Sequence, residues 1–158
     1  MNKNEFAERV ETLKKRLYRT AYLYLSDEAG ALDAVDEAVY KALKALAKLR
    51  QPEYFDTWLT RILINECKKE CKRRKRVSPV ESLPEEGSEE ISYDALPLKE
   101  AIRKLPPDLR MIVILRFFSG FTLAQTAESM ELPQGTVATK QRRALEFLKL
   151  DLSEEGLQ

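Results

Sequence analysis

The sequence contains no histidine, two cysteines, five glycines and one tryptophan in 158 residues, and each scarcity narrows the chemistry open to it. With Cys67 and Cys71 as its only thiols and no imidazole, one chain cannot complete a four-ligand zinc site. No glycine-rich loop is present to cradle a phosphate and no nucleophile stands beside a partnered base, so the criteria for an active site go unmet. Catalytic residues, metal and other cofactors are therefore not expected, nor is a small-molecule substrate. No apolar run approaches the ~20 residues of a membrane span, and the amino terminus, MNKNEFAERV, has no apolar signal core. The expected compartment is the cytoplasm. In that reducing setting Cys67 and Cys71, four apart on one helical face, read as two small semi-buried residues, the alternative being a redox pair activated by neighbouring lysines. A dominant charge of one sign is missing as well: charged residues make up 34% of the chain, yet the net charge is +1.

That balance conceals segregation. Residues 55–76, FDTWLTRILINECKKECKRRKR, change character halfway along one helical phase. Phe55, Leu59, Ile62 and Leu63 recur at the spacing of one helical face, whereas Trp58, Arg61, Asn65, Lys68, Lys69 and Lys72 fall elsewhere around the cylinder. Beyond Glu66 the stretch 68–76 carries seven cations and one acid, Glu70. It reads either as a solvated helix end favoured by the macrodipole or as an electropositive rod for a polyanion. Residues 81–94 then contain acids and no lysine or arginine.

Upstream, Phe6, Val10, Leu13, Leu17, Ala21 and Tyr24 predict a first amphipathic helix. Ser26, followed by Asp27 and Glu28, is expected to cap a second helix that turns Leu32, Val35, Val39, Leu43, Leu46 and Leu49 toward a core. Gly30 costs that helix a little near its start, and Pro52 separates it from the third. On the opposite side of the second helix, Asp33, Asp36, Glu37 and Tyr40 form an acidic patch, readable as solvated charge or as a surface for a basic partner.

Residues 78–95 break the periodicity with Pro79, Pro84, Gly87 and a run of glutamates, which predicts a flexible acidic linker. Fully stretched it reaches on the order of 55 Å, so the halves need not touch. Beyond it, Leu98, Ile102 and Leu105 give a short helix, Pro107 suits the first turn of the next, and 111–118 is apolar nearly all round except for Arg116. Gly120 closes that run. Thr122 and Gln125 match a capping box ahead of a helix carrying Leu123, Ala127 and Met130. A turn over 132–135 leads to a last helix with Val137 and Leu145 facing inward. This is the pattern of a helix-turn-helix. The outward residues Gln134, Thr136, Thr139, Lys140, Arg142 and Arg143 place small polar groups where base edges are approached and cations where phosphates lie; a plain structural pair of helices remains the other reading.

The second half, with Leu105-Pro106, the apolar 111–118, the short helix 123–130, Gly135-Thr136-Val137 and Arg143-Ala144, resembles region four of bacterial sigma factors. The first half, with 33–42, Phe55, Trp58-Leu59, Ile62, Asn65 and the basic tail in that order, resembles region two of the same proteins. Both halves joined by a short acidic linker, with no region three, are similar to the extracytoplasmic-function group. The resemblance implies an all-α fold of two small helical domains: a three-helix unit over 1–77, the linker 78–95, a helix-turn-helix unit over 96–152 and a tail over 153–158. It further implies that Asp33, Asp36, Glu37 and Tyr40 dock on core RNA polymerase. Trp58, Arg61, Asn65, Lys68, Lys69 and Lys72, with the loop before them, would take the melted minus-ten strand of promoter DNA. Trp58 has the competing role of a core residue. Gln134, Thr136, Thr139, Lys140, Arg142 and Arg143 would read the minus-thirty-five duplex. An anti-sigma factor, commonly membrane-anchored in that family, is implied as a further partner, and a stress or envelope-response regulon as the target. Two departures stand out: Asp36 where many relatives have Gln before the acid, and Ala138 where a Lys commonly follows Gly-Thr-Val. The competing reading is a stand-alone helix-turn-helix regulator.

Overall fold

The computed structural model describes residues 1–77 and 96–154, so the expected linker and the last four residues of the expected tail lie outside the described residues. All described secondary structure is helical: α1 (Lys3–Leu25), α2 (Glu28–Lys44), α3 (Phe55–Val77), α4 (Leu96–Lys104), α5 (Pro107–Val113) with a π-helical turn (Ile114–Phe118), α6 (Leu123–Met130) and α7 (Gln134–Glu154). Helices α1, α2 and α3 pack as one unit, and α4 to α7 as a second.

Helix α1 forms as its spacing predicts. Asn2 caps it by accepting the Glu5 amide at 2.8 Å, and Phe6, Val10, Leu13, Leu17, Ala21 and Tyr24 are all buried. Its end departs from expectation. Ser26 is not the cap of α2 but closes α1 in the left-handed region, φ 57°, a conformation a short polar side chain tolerates better than a bulky one. The cap of α2 is Asp27, whose carboxylate accepts the Gly30 amide at 2.8 Å. A Cβ on Gly30 would lie 2.6 Å from that carboxylate, so the glycine that weakens the helix is also what leaves room for its cap.

The buried stripe of α2 differs from the expected one. Ala31, Ala34, Val35, Ala38 and Ala42 face the core, whereas Leu32 and Leu43 are 54% and 40% exposed; Val39, Leu46 and Leu49 only border it. Alanines let α2 approach α1 and α3 closely, which leaves no depth for a leucine at the seam. In α3, Phe55, Leu59, Leu63, Ile64 and Cys67 are fully buried and Ile62 half-buried. In the second unit the reading of α4, Pro107 and the capping box of α6 holds: Thr122 and Gln125 exchange both bonds, at 2.9 and 3.1 Å. The apolar run expected as one helix ends instead in the π turn, with Ser119 donating to the Ile114 carbonyl at 2.9 Å. Gly120 follows at φ +72°, where a Cβ would be strained. Along α7 the core takes Val137, Ala144 and Leu148, while Leu145, expected inside, is 41% exposed.

The two units touch. Buried residues from both form one continuous apolar cluster, and the last turns of α1 are enclosed by the second unit. Thr20 and Ser119 share a hydrogen bond between their hydroxyls at 2.8 Å, buried. Arg110 donates to the Tyr24 carbonyl at 2.6 Å, and Lys99 donates to the Tyr22 hydroxyl at 2.8 Å. Burial holds the Arg110 guanidinium below its ordinary value and pushes the Tyr24 phenol up to about 12. Both effects mark a junction from which water is largely excluded.

Candidate nucleic-acid interface

Helix α3 begins at Phe55, whose ring meets Phe6 edge-on at 5.8 Å and Trp58 at 5.9 Å, with the Arg9 guanidinium 5.2 Å from its centroid. Trp58, one turn on, is half-buried: it packs on the core and also lines an open cleft of about 440 Å³. The core reading of Trp58 therefore holds for part of the ring, and the rest of it faces the cleft. The cleft is completed by Lys48, Arg50, Gln51 and Tyr54 of the loop before α3, by Arg61, and by Glu128 of α6. Tyr54 is half exposed, and Arg61 is half-buried, 3.8 Å from the Glu131 carboxylate. Through the resemblance the loop is expected to take part only as a whole; its individual residues Lys48, Arg50, Gln51 and Tyr54 are not singled out, and their one signal is cations flanking an aromatic.

Farther along α3 the basic run divides. Asn65, Lys68 and Lys72 are exposed. Lys69 is exposed but lies 3.6 Å from the buried Glu66 carboxylate, which also accepts from Lys41 at 2.5 Å. Arg73 pairs with Glu70 at 2.7 Å. Arg74 pairs with Asp27 at 2.5 Å and donates to the Leu25 carbonyl at 2.8 Å. Arg74 therefore ties α3 to the α1–α2 junction, Arg73 is held within α3, and among the described side chains of the run Lys68 and Lys72 are the cations without a carboxylate partner. Cys67 is buried, its thiol pushed up to about 12 chiefly by burial, so it holds little thiolate at neutral pH and makes a poor redox centre.

On α2, Asp33, Asp36, Glu37 and Tyr40 are all exposed, as expected. Asp33 and Glu37 line a groove with Lys69 and Arg73. Asp36 borders a cleft of about 350 Å³ between α1 and α2, with Tyr18, Leu32 and Val35 in its walls. The Lys44 ammonium sits 5.0 Å from the Tyr40 ring centre. The face is therefore acidic and apolar together.

Helix α7 presents Gln134, Thr139, Arg142 and Arg143 to solvent, with Thr136 and Lys140 half-buried. Gln134 opens the helix, one residue ahead of the Gly135-Thr136-Val137 run, so the turn is shorter than 132–135. Thr139 donates to the Gly135 carbonyl at 3.0 Å. Lys140 is engaged within the chain, 2.5 Å from Asp108, and its hydrogen bond holds that carboxyl below the ordinary carboxylate range. Arg116 donates to Gln141 at 2.9 Å and to the Phe121 carbonyl at 2.7 Å, fixing α7 against the π turn.

Among the described residues no helix is long and apolar enough to cross a membrane. Residues 9–77 match the family model of sigma-70 region 2, and residues 95–148 that of sigma-70 region 4. The chain is 31% identical over 147 residues to RNA polymerase sigma factor SigV of Bacillus subtilis, covering 91% of this chain and 89% of that protein. It is 36% identical over 134 residues to the ECF RNA polymerase sigma-E factor of Escherichia coli K12, covering 73% and 70%. Among solved structures, the sigma factor RpoE in complex with the anti-sigma factor NepR from Bartonella quintana superposes with a TM-score of 0.82 at 25% identity, over 94% of this chain and 97% of that one. CnrH, solved with the cytosolic domain of CnrY, shares the fold at a TM-score of 0.76 and 20% identity, over 97% and 90%. Regions 2 and 4 matched in sequence along one chain exclude the stand-alone regulator, and the chain belongs to the sigma-70 family of RNA polymerase sigma factors, in its extracytoplasmic-function group.

Proposed function

We propose that this sigma factor works through three surfaces, acting in the cytoplasm and leaving all chemistry to core RNA polymerase. The unit 1–77 docks on polymerase through Asp33, Asp36, Glu37 and Tyr40 and holds the melted minus-ten strand. The unit 96–152 reads the minus-thirty-five duplex. The observation that carries this reading is the cleft beside Trp58: two aromatic rings, the three cations Lys48, Arg50 and Arg61, and the Gln51 amide converge on an open space of about 440 Å³. Stacking of a base on an aromatic is worth about 1–3 kcal/mol and is available once the duplex has opened. Lys68 and Lys72 continue from the cleft as phosphate contacts. An anti-sigma factor is the regulatory partner consistent with the RpoE likeness, and stress or envelope genes are the regulon.

The test is run-off transcription by core polymerase with this chain on a library of promoters, repeated with Trp58→Ala. The variant should lose open-complex formation about tenfold, the equivalent of one lost stacking contact, while its stability falls by only about 1–2 kcal/mol because the ring is half-buried. Undiminished transcripts from the variant would remove the cleft from the reading.

The ion pair on α7 ranks the duplex contacts. Lys140 already has Asp108 as a partner, whereas Arg143 is exposed, so Arg143→Ala should weaken minus-thirty-five binding more than Lys140→Ala. Asp108→Asn releases the ammonium. Duplex affinity should rise about two- to fivefold at low salt, and the log–log salt slope should steepen by about 0.9, the signature of one more neutralised phosphate. A slope unchanged from wild type would place Lys140 off the DNA.

A further inference from the structure

We infer that Arg116 and Gln141 set the angle at which α7 meets the minus-thirty-five duplex, as positioning residues that govern base discrimination without touching a base. This rests on the assignment of α7 to that duplex, and concerns what gives the contact its sequence specificity. Both residues are polar intrusions on apolar stripes. Gln141 lies on the inward side of α7, four positions after Val137 and three before Ala144, both fully buried. Arg116 follows the buried Ile112 and Val113 by four and three positions, and both it and Gln141 are half-buried. The guanidinium resolves both intrusions: its Nε donates to Gln141 Oε1 at 2.9 Å and its Nη1 to the Phe121 carbonyl at 2.7 Å. Apolar side chains at these two positions would pack with no polar group to desolvate. What the hydrogen bonds add is direction, because they fix distance and angle where apolar contact allows sliding.

The direction matters because the turn joins the two helices at one end only. From that turn, 131–133, α6 runs eight residues back to its Thr122 cap, about 12 Å. Gln141 lies a similar distance along α7, about 10 Å from its first residue. Arg116 spans the open side, holding Phe121 just ahead of the cap and Gln141 on the facing helix. The three sides close a triangle, and its shape fixes the crossing of α6 and α7. The π turn brings the arginine there: Ser119 donates to the Ile114 carbonyl and Phe121 to the Leu115 carbonyl, both at 2.9 Å, which folds the Phe121 carbonyl back within reach of Arg116. Next to Gln141, Arg142 and Arg143 stand exposed. A swing of α7 by about 10–20° takes such side chains out of the geometry that base hydrogen bonds require. Phosphate contacts carry no sequence information, and long cationic side chains follow a phosphate through such a swing. Loss of the clamp should therefore cost discrimination more than affinity.

The test uses the full chain assembled with core polymerase and a pool of duplexes randomised across the minus-thirty-five segment, selected by binding and sequenced. Wild type yields a preferred sequence, and each variant is then measured as the ratio of its affinities for that sequence and for random duplex. Gln141→Met keeps a good helix former but removes the acceptor. Its ratio should fall about five- to tenfold, with the melting temperature nearly unchanged and the log–log salt slope as in wild type, since no phosphate contact is lost. Gln141→Glu restores an acceptor and should keep the ratio within about twofold of wild type, although its charge lowers affinity for every duplex. An unchanged ratio in Gln141→Met overturns the inference, as does a loss in Gln141→Glu equal to that in Gln141→Met. Arg116→Met should also leave the salt slope unchanged; a slope shallower by about 0.9 would make Arg116 a phosphate contact and overturn its positioning role. If wild type selects no preferred sequence, or one that Arg143→Ala leaves intact, the assignment of α7 to the duplex fails, and the inference with it.

Discussion

Replacing Phe55 by alanine is expected to cost about 3–5 kcal/mol of stability, the range for deleting a fully buried phenyl ring. The residue is 0% exposed and links α1 to α3 through Phe6 and Arg9. For a chain of this length that loss should lower the melting temperature by on the order of 10 °C, measured by calorimetry or circular dichroism. Function should fall with it, because the phenyl ring also backs Trp58. The comparison with Trp58→Ala separates two neighbouring aromatics: the first variant loses stability and activity together, the second mainly activity. A melting temperature within two degrees of wild type for Phe55→Ala would show that the site repacks and that Trp58 does not depend on it.

Asp36→Lys should reduce capture of core polymerase at least tenfold while leaving the melting temperature nearly unchanged. Asp36 lies on the exposed side of α2, with no hydrogen bond or ion pair to another described residue, and substitutions at such positions usually stay within ±0.5 kcal/mol. A like charge set against a basic partner, by contrast, costs several kcal/mol. Pull-down or fluorescence titration with core enzyme measures the first quantity and thermal unfolding the second. Equal polymerase affinity for variant and wild type would count against the docking face. Leu32 and Tyr40, also on exposed positions of α2, give that face an apolar component that pure charge complementarity would miss.

The fold was legible wherever helical spacing and capping acted locally. Helix α1, the Pro107 start and the Thr122–Gln125 box needed nothing beyond three or four neighbouring residues. Helix α2 was misphased by one position because hydrophobicity favours leucine over alanine as an inward residue, whereas close approach of helices favours the reverse; Leu145, displaced by Ala144 and Leu148, repeats the lesson. Ser26 reads as the cap of α2 and Asp27 only as an acid suited to its positive end, whereas Asp27 is the cap and is held in place by Arg74, 47 positions away in the sequence. The charged residues of the candidate site were visible as a set, but their division into tied and free was not. Lys140 finds Asp108, Lys41 finds Glu66 and Arg61 finds Glu131 across 25 to 70 residues of chain, distances over which spacing carries no information. The same holds for the cleft, whose walls come from a loop and from a helix of the opposite unit.

The alanine seam of α2 has a consequence for how this molecule can drift in evolution. Ala31, Ala34, Ala38 and Ala42 act as thin spacers, setting the height at which Asp36 and Tyr40 stand above the helices beneath. A valine at any of these spacers would lift the whole outer row by a fraction of an ångström. On the proposed docking face, polymerase would register the change at carboxylates that had not themselves been altered. The buried side of α2 thus sets the geometry of the exposed one.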